Sequence, residues 1–326
     1  MNLSSPKLRL LITGGTGFVG RNLLISLMRD PKFEVVVAVR NSASASNVIC
    51  NSIVVGEVNG ETDWLSALKG IDVVVHLAGR AHVFNELSGD PLESFRSINL
   101  RGTTALAEQA IISGVKRFVF ISSIGVNGTL TKNSPFSELC PPNPQNHYAL
   151  SKLEAETALR NLAKESSMEW VIIRPPLVYN ATAPGNFNRL LKIVHSGMPL
   201  PLASVNNSKS IVAVENLVAF IMLCSCHPAA ANELFLISDG VDVSTSEIIL
   251  YLSEGMEKKS RLFRVPSYLI RNAAWLLGQS GAYAQLCGSL VICSKKANDL
   301  LGWQPLLAPD VALKSAGLEY KKSTVR

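Results

Sequence analysis

Six short, apolar, β-branched runs separated by longer amphipathic stretches fix most of what this chain can fold into: Leu8–Thr13, Val35–Val39, Ile53–Val55, Asp72–Leu77, Arg117–Ser122 and Trp170–Arg174. Runs so continuously apolar read as strands buried on both faces, and parallel strands of that kind each require a crossover. Phe18–Arg29, Pro91–Ser113 and His147–Lys164 have the length and patterning to supply those crossovers as helices. The alternation therefore predicts an α/β fold built on a doubly wound parallel sheet, with its ligand crevice at the carboxyl ends of the strands.

After Arg174 the texture changes. Pro175, Pro176, Pro184, Pro199 and Pro201 break the chain into short pieces with little strand character. At 326 residues the chain exceeds what one core usually organises, so a domain crossing is expected there. Ser210–Leu217 and Glu233–Ser238 again have strand character and are expected to return to the large sheet. The large domain is then 1–175, completed by 210–238, and the smaller one is discontinuous, 176–209 and 239–326. Helices are predicted in the latter at Ser244–Glu254, Pro266–Leu277, Ser294–Leu301 and Pro309–Ala316.

The net charge of +6 comes from 31 basic and 25 acidic residues. These are scattered without a long like-charged run, which disfavours a nucleic-acid surface and suits an anionic small molecule. The six cysteines, at 50, 140, 224, 226, 287 and 293, form no CxxC pair and no spacing suited to zinc. They read as reduced, mostly buried thiols of a cytoplasmic protein, with no metal expected. No apolar run reaches the roughly 18 residues of a membrane span.

Gly14-x-x-Gly17-x-x-Gly20 follows the first strand and opens the first helix. Glycines in that context let the backbone turn tightly and approach a pyrophosphate, whose charge meets the helix N-terminal amides. The large sheet is thus expected to be of the Rossmann type, binding a dinucleotide. Arg40, at the end of the second strand, stands where an acid would hold the ribose hydroxyls of NAD. It can instead meet the 2′-phosphate of NADP or stay in solvent. Glu57 either reaches the adenine edge or is an ordinary loop carboxylate.

Tyr148-Ala-Leu-Ser-Lys152 places a phenol and an ammonium at i and i+4 on one helix face. A nearby cation stabilises phenolate, so Lys152 is expected to lower the Tyr148 pKa and make it an acid/base group. Ser122-Ser123, ending the fifth strand, offers a hydroxyl to a substrate oxygen at the crevice. Asn99, within the helix preceding that strand, either bridges to the active-site strand or faces solvent.

With these residues in place the sequence resembles the extended short-chain dehydrogenase/reductases, in particular the NAD-dependent epimerase/dehydratase family of nucleotide-sugar enzymes. The resemblance is carried by Thr13-Gly-Gly-Thr-Gly-Phe-Val-Gly20, Asp72-Val-Val-Val-His-Leu-Ala-Gly79, Asn99-Leu-Arg-Gly-Thr103, Phe118-Val-Phe-Ile-Ser-Ser123, the Tyr148/Lys152 segment, Arg174-Pro-Pro-Leu-Val-Tyr179 and Leu301-Gly-Trp-Gln-Pro305. It implies that Ser123 hydrogen-bonds the sugar oxygen, that Tyr148 moves the proton, and that Lys152 holds the nicotinamide ribose. It also implies that Gly14, Gly17, Phe18, Val19, Gly20, Arg40, Glu57 and Val58 border the cofactor. Leu77, Ala78, Gly79, Asn99, Ile121 and Pro175 would border it as well, with His76 beside them. By the same resemblance Asn186 and Lys209 would meet the substrate diphosphate, and Arg80 the substrate.

Two departures fall near the family's sugar pocket, Asn127 where many members have tyrosine and Asn180 where they have glycine. Relatives that eliminate water carry an acidic pair directly after the active-site serine or threonine. Ile124 and Gly125 stand there, which disfavours a dehydratase. His76-Leu-Ala-Gly-Arg-Ala-His-Val83 together with Ile124-Gly-Val-Asn-Gly128 resembles a bacterial subgroup acting on UDP-linked sugars in polysaccharide and O-antigen assembly. The function implied is oxidoreduction at C4 of a UDP-hexose or UDP-N-acetylhexosamine with NAD or NADP. The 4-epimerase leads, a C4 reductase of a UDP-4-keto-6-deoxy-N-acetylhexosamine is the alternative, and a non-catalytic NAD(P)-sensing protein is the reading from another class. A homodimer is expected from the resemblance alone.

Overall fold

The structure, a computed structural model, describes residues 7–46, 48–81 and 90–324. Its centre is a seven-stranded, all-parallel sheet in the order β3-β2-β1-β4-β5-β6-β9. The strands are β1 (Leu8–Thr13), β2 (Phe33–Val39), β3 (Asn51–Val54), β4 (Val73–His76), β5 (Arg117–Ile121), β6 (Glu169–Arg174) and β9 (Glu233–Leu236). Strand order reverses between β1 and β4, so the turn after β1 opens into a crevice.

Alternation along each strand divides the core into two layers, as a sheet covered on both faces requires. Leu10, Ile12, Val35, Val37, Val73 and Val75 point toward the helices Phe18–Leu27 and Val214–Cys226. Leu11, Val36, Val74, Phe118 and Phe120 point the other way, onto Leu106, Ala107 and Ala110 and onto Ala155 and Leu159. Each fully buried side chain of this size contributes roughly 1.5–3 kcal/mol against exposure.

The return of the chain is split. Glu233–Leu236 pairs with β6 in register Val171↔Glu233 to Arg174↔Leu236, as expected. The segment 210–217 does not join the large sheet: β8 (Ile211–Ala213) pairs with β7 (Leu177–Tyr179) in a separate parallel pair, and helix begins at Val214. The physical reason is Asp239, just past β9. Its buried carboxylate accepts from the Ala213 N–H (2.9 Å), the Tyr179 phenol (2.8 Å) and the Asn216 amide (2.6 Å), anchoring the small sheet where β9 ends. Burial pushes both the Asp239 carboxyl and the Tyr179 phenol above their ordinary values.

A third core, with Tyr179, Phe187, Leu191, Ile248, Leu252 and Leu313, belongs to the smaller part of the chain. Helices cover Thr245–Gly255, Ser267–Leu276 and Lys295–Leu301 as anticipated; the final helix, Pro309–Thr324, runs on past the anticipated Pro309–Ala316, and Ser280–Cys287 is additional. The proline-rich stretch hides another helix, Gly185–Ser196, which starts after Pro184 and stops at left-handed Gly197 (φ 69°). Proline just before a helix starts it rather than breaks it. The cysteines are free thiols, but only Cys224 is fully buried and Cys226 is exposed, so "mostly buried" does not hold. Among the described residues no helix is long and apolar enough to cross a membrane, and no cluster suits a metal ion.

Candidate active site

The turn after β1 is shaped to receive a large anion. Gly14 sits at φ +70°, and a Cβ there would lie 2.7 Å from the Ala78 backbone nitrogen. A Cβ on Gly20 would lie 2.2 Å from the Gly14 carbonyl oxygen, so the helix packs directly on the turn. Gly17 caps that helix without a side-chain bond, and its first turn holds no acid. The N-terminal amides at Phe18, Val19 and Gly20 therefore keep their donor capacity, as a pyrophosphate requires.

The floor beside this turn is a buried relay. Thr13 Oγ1 lies 2.7 Å from His76 Nδ1, and His76 Nε2 lies 3.0 Å from Thr103 Oγ1. Thr103 donates its own proton to the Asn99 carbonyl (2.6 Å), and Thr13 accepts from the Ala78 N–H (3.1 Å). With the Thr103 proton committed, the consistent assignment has Nε2 carrying the imidazole hydrogen and Thr13 donating to Nδ1. Burial, and secondarily the Lys152 charge, hold the His76 pKa down at about 3, so the ring is neutral.

Asn99 occupies a π-helical stretch, Arg96–Gly102, inside the crossover helix. Its side chain is fully buried rather than solvent-facing. The amide bonds both backbone groups of Arg80 (2.8 and 3.0 Å) and the Ser151 hydroxyl (2.9 Å). Asn99 thus ties the loop after β4 to the helix that carries Tyr148.

On that helix, His147–Lys164, Tyr148 and Lys152 converge on the end of β5. The Lys152 ammonium donates to the Ile121 carbonyl (2.9 Å), lies 4.4 Å from the Phe120 ring centre, and faces Gly79. Burial lowers its pKa to about 8, partly offset by Glu156. Tyr148 is hydrogen-bonded by Ser123. Ser123 Oγ accepts from the Gly125 N–H (3.1 Å), which leaves its own proton for the phenol. The expected lowering of the Tyr148 pKa does not arise from the chain alone. Burial raises it to about 12, and the opposing influence is the Ser123 bond, because Lys152 directs its charge at Ile121 and Phe120.

Both departures, Asn127 and Asn180, bond within the chain. Asn127 is buried and accepts from Arg174 (2.9 Å). Arg174 also grips Glu156 through Nε (2.9 Å) and Nη2 (2.5 Å), and Ser122 donates to the same carboxylate (2.5 Å). Ser122, the neighbour of Ser123, is thereby pinned to the Tyr148 helix. Asn180 is also buried, and its oxygen accepts from the Thr182 N–H (2.7 Å) and hydroxyl, capping a turn.

Arg40 and Glu57 meet each other, 3.7 Å apart and well exposed, beyond the ends of β2 and β3. Val58 packs against the π-helix, where a Cβ on Gly102 would lie 2.8 Å from it. Leu77 and Ala78 follow β4, and Ile121 and Pro175 end β5 and β6, so all four lie along the crevice edge. Asn186 and Lys209 lie apart from these, on the smaller part, and both contact Gln285: Asn186 its side-chain oxygen (3.0 Å), Lys209 its carbonyl (2.9 Å). Arg80 is near Asn99 through its backbone; His82 and Val83 of the same motif lie outside the described residues. Sequence reasoning missed Gln285, Glu156 and the threonines flanking His76. Apart from Thr103–Asn99 and Glu156–Arg174, 4 and 18 positions apart, the partners named above are 27 to 99 positions away, and no local pattern marks those.

A family model described as the NAD dependent epimerase/dehydratase family matches residues 10–237. A UDP-glucose 4-epimerase from Vibrio cholerae is 43% identical over 298 residues, covering 91% of this chain and 90% of its own. An N-acetyl-alpha-D-glucosaminyl-diphospho-ditrans,octacis-undecaprenol 4-epimerase from Escherichia coli O157:H7 is 29% identical over 275 residues, 84% and 77% of the two chains. In fold, the chain is similar to a UDP-glucuronic acid 4-epimerase from Bacillus cereus in complex with NAD, with a TM-score of 0.78 at 20% identity over 98% of this chain and all of the other. A Thermotoga maritima UDP-glucose 4-epimerase with UDP-glucose gives 0.76 at 21%, with the same coverage. The match over residues 10–237, on a sheet and glycine turn that fit a dinucleotide, means that this chain belongs to the NAD-dependent epimerase/dehydratase family and is an NAD(P)-dependent enzyme of the extended short-chain dehydrogenase/reductase fold.

Proposed function

We propose that this enzyme, a nucleotide-sugar 4-epimerase, interconverts the C4 epimers of a UDP-linked hexose or N-acetylhexosamine in bacterial polysaccharide or O-antigen sugar synthesis. The observation that carries the chemistry is the convergence of Ser123, Tyr148 and Lys152 at the end of β5, beside the glycine turn. The likeness to the Vibrio cholerae UDP-glucose 4-epimerase, across nine-tenths of both chains, supports the substrate class.

When bound, the nicotinamide supplies reversible hydride acceptance. Ser123 hydrogen-bonds the C4 oxygen and Tyr148 takes or returns its proton. Lys152 holds the nicotinamide ribose, and its charge, with that of the oxidised ring, brings the phenol down from about 12 toward the working range. The amides of Phe18 to Gly20 receive the pyrophosphate. Leu77, Ala78, Gly79, Ile121 and Pro175 line the cofactor's path, and Asn99 shapes it by holding Arg80. Asn186 and Lys209 meet the substrate diphosphate, for which Gln285 must let them go. Residues 1–175 with the returning strand form the cofactor domain, and 176–209 with 239–326 the substrate domain. The enzyme acts in the cytoplasm as a homodimer.

One observation favours the reductase reading: Arg40, well exposed and in a 3.7 Å contact with Glu57, stands beyond the end of β2, where the 2′-phosphate of NADP would sit, and NADPH is the reductant of 4-keto sugars. A single experiment separates the two. UDP-glucose and UDP-N-acetylglucosamine are incubated with enzyme and NAD, and the anomeric signals are followed by NMR. Interconversion supports the epimerase. Its absence, with NADPH consumed on a UDP-4-keto-6-deoxy sugar, assigns the reductase. Cofactor binding without turnover of either would leave a sensing protein.

A further inference from the structure

Between Lys258 and Asn298 the chain contains seven lysines and arginines and neither aspartate nor glutamate. Three of the seven are engaged: Lys258 with the His195 carbonyl, Lys295 with Asp299, and Lys296 with Glu233. The other four, Lys259, Arg261, Arg264 and Arg271, are exposed, and among the described residues none has an ion-pair partner. Glu247, which borders the same shallow cavity as Arg264, is engaged in its own helix cap, accepting from the Ser244 N–H.

The same segment carries an unusual apolar surface. The helix Ser267–Leu276 buries none of its residues. Trp275 is 70% exposed, Leu276 76% and Leu277 74%, and Phe263, Tyr268 and Leu269 are also exposed. At about 100° per residue, Tyr268, Leu269, Trp275 and Leu276 fall within roughly 120° of arc, and Arg271 lies at its rim. Ile270 and Ala274, on the opposite side, are the more sheltered. The outward face is thus mostly apolar and aromatic around the exposed Asn272, with Arg271 at its border.

We propose that this face docks the enzyme on an anionic lipid bilayer surface. A helix with tryptophan and leucine on one side and free cations beside it lies in the interfacial plane, and unpaired cations meet the headgroup phosphates. A second copy fits poorly, because an isologous contact would bring the same cations together from both subunits, and Glu247, the carboxylate beside Arg264, already caps its own helix. The docking face is continuous with the substrate side of the molecule, since Gln285, on the next helix, holds Asn186 and Lys209. The inference does not depend on which sugar is turned over.

The test uses the full chain with vesicles of phosphatidylcholine alone and of phosphatidylcholine with phosphatidylglycerol. Cosedimentation is expected with the anionic vesicles only, released by salt, with a blue-shifted tryptophan emission that disappears in Trp275→Phe. Each cation near such a surface is worth roughly fivefold in partitioning, so Arg264→Gln/Arg271→Gln lowers binding by about 25-fold. UDP-sugar turnover in free solution stays unchanged in these variants. Failure to sediment with anionic vesicles at low salt overturns the proposal, as does equal binding by the double variant. It is also overturned if Leu276→Ser/Leu277→Ser splits a dimer in light scattering without altering vesicle binding.

Discussion

Acidification offers a direct reading of the relay under the glycine turn. His76 is fully enclosed, with both ring nitrogens engaged by Thr13 and Thr103. Its folded pKa is about 3, against 6.5 for the ordinary group. The unfolded chain therefore binds a proton that the fold refuses, so stability is whole above pH 6.5 and falls as pH drops toward 3. Between pH 8 and pH 5 the loss from this one ring is about 2 kcal/mol, growing to about 5 kcal/mol below pH 3. Urea unfolding at pH 8 and pH 5, on the native chain and on His76→Gln, isolates the effect. Whatever the substitution costs at pH 8, it removes this one titration. The native chain should lose about 2 kcal/mol more than the variant over that interval. Equal losses, or titration near 6.5 of the imidazole NMR signal that His76→Gln removes, would refute the neutral buried relay.

Tyr148→Phe should reduce UDP-sugar turnover by about 10²–10⁴-fold while cofactor still binds, measured by steady-state rates and NAD titration. Gly20→Ala should abolish cofactor binding or force the turn apart, since the added carbon meets the Gly14 oxygen at 2.2 Å; calorimetry reads this. Glu156→Gln leaves Arg174 charged and buried without its counter-ion and should cost about 3–5 kcal/mol in chemical denaturation. Because Lys152 loses its proton near pH 8 in the free enzyme, cofactor affinity should weaken as pH rises through that value, and Lys152→Met should flatten the dependence.

Most of the large sheet could be read directly, since strands covered on both faces advertise themselves as unbroken apolar runs. Val73–His76 and Arg117–Ile121 fall inside the stretches anticipated for them. Ile211–Ala213 is equally apolar, yet its place was set by Asp239, 26 positions later, and no local pattern carries that choice. The Tyr148/Lys152 spacing was legible because helix periodicity fixes it, whereas the phenol's pKa was not, because burial outweighs a cation turned toward Ile121. Asn127 illustrates the limit: its partner Arg174 is 47 positions away, and no local pattern announces the pair. The acid-free stretch from 258 to 298 was visible in the sequence, but only coordinates disclose that Trp275 stays outside the core.

The π-helical stretch Arg96–Gly102 acts as a phase shift. One additional residue within a turn rotates everything downstream by about 100° relative to a regular helix. Upstream of the bulge Phe95 packs near the Tyr148 ring, and downstream Leu106 and Ala110 face the sheet. Across the wider turn these contacts are kept while Asn99 reaches Arg80 and Ser151. Deleting Ser97, Ile98, Leu100 or Arg101 would therefore be felt less as a shortened helix than as a twist, swinging Asn99 away from Arg80 and Ser151 while the sheet contacts kept their own alignment.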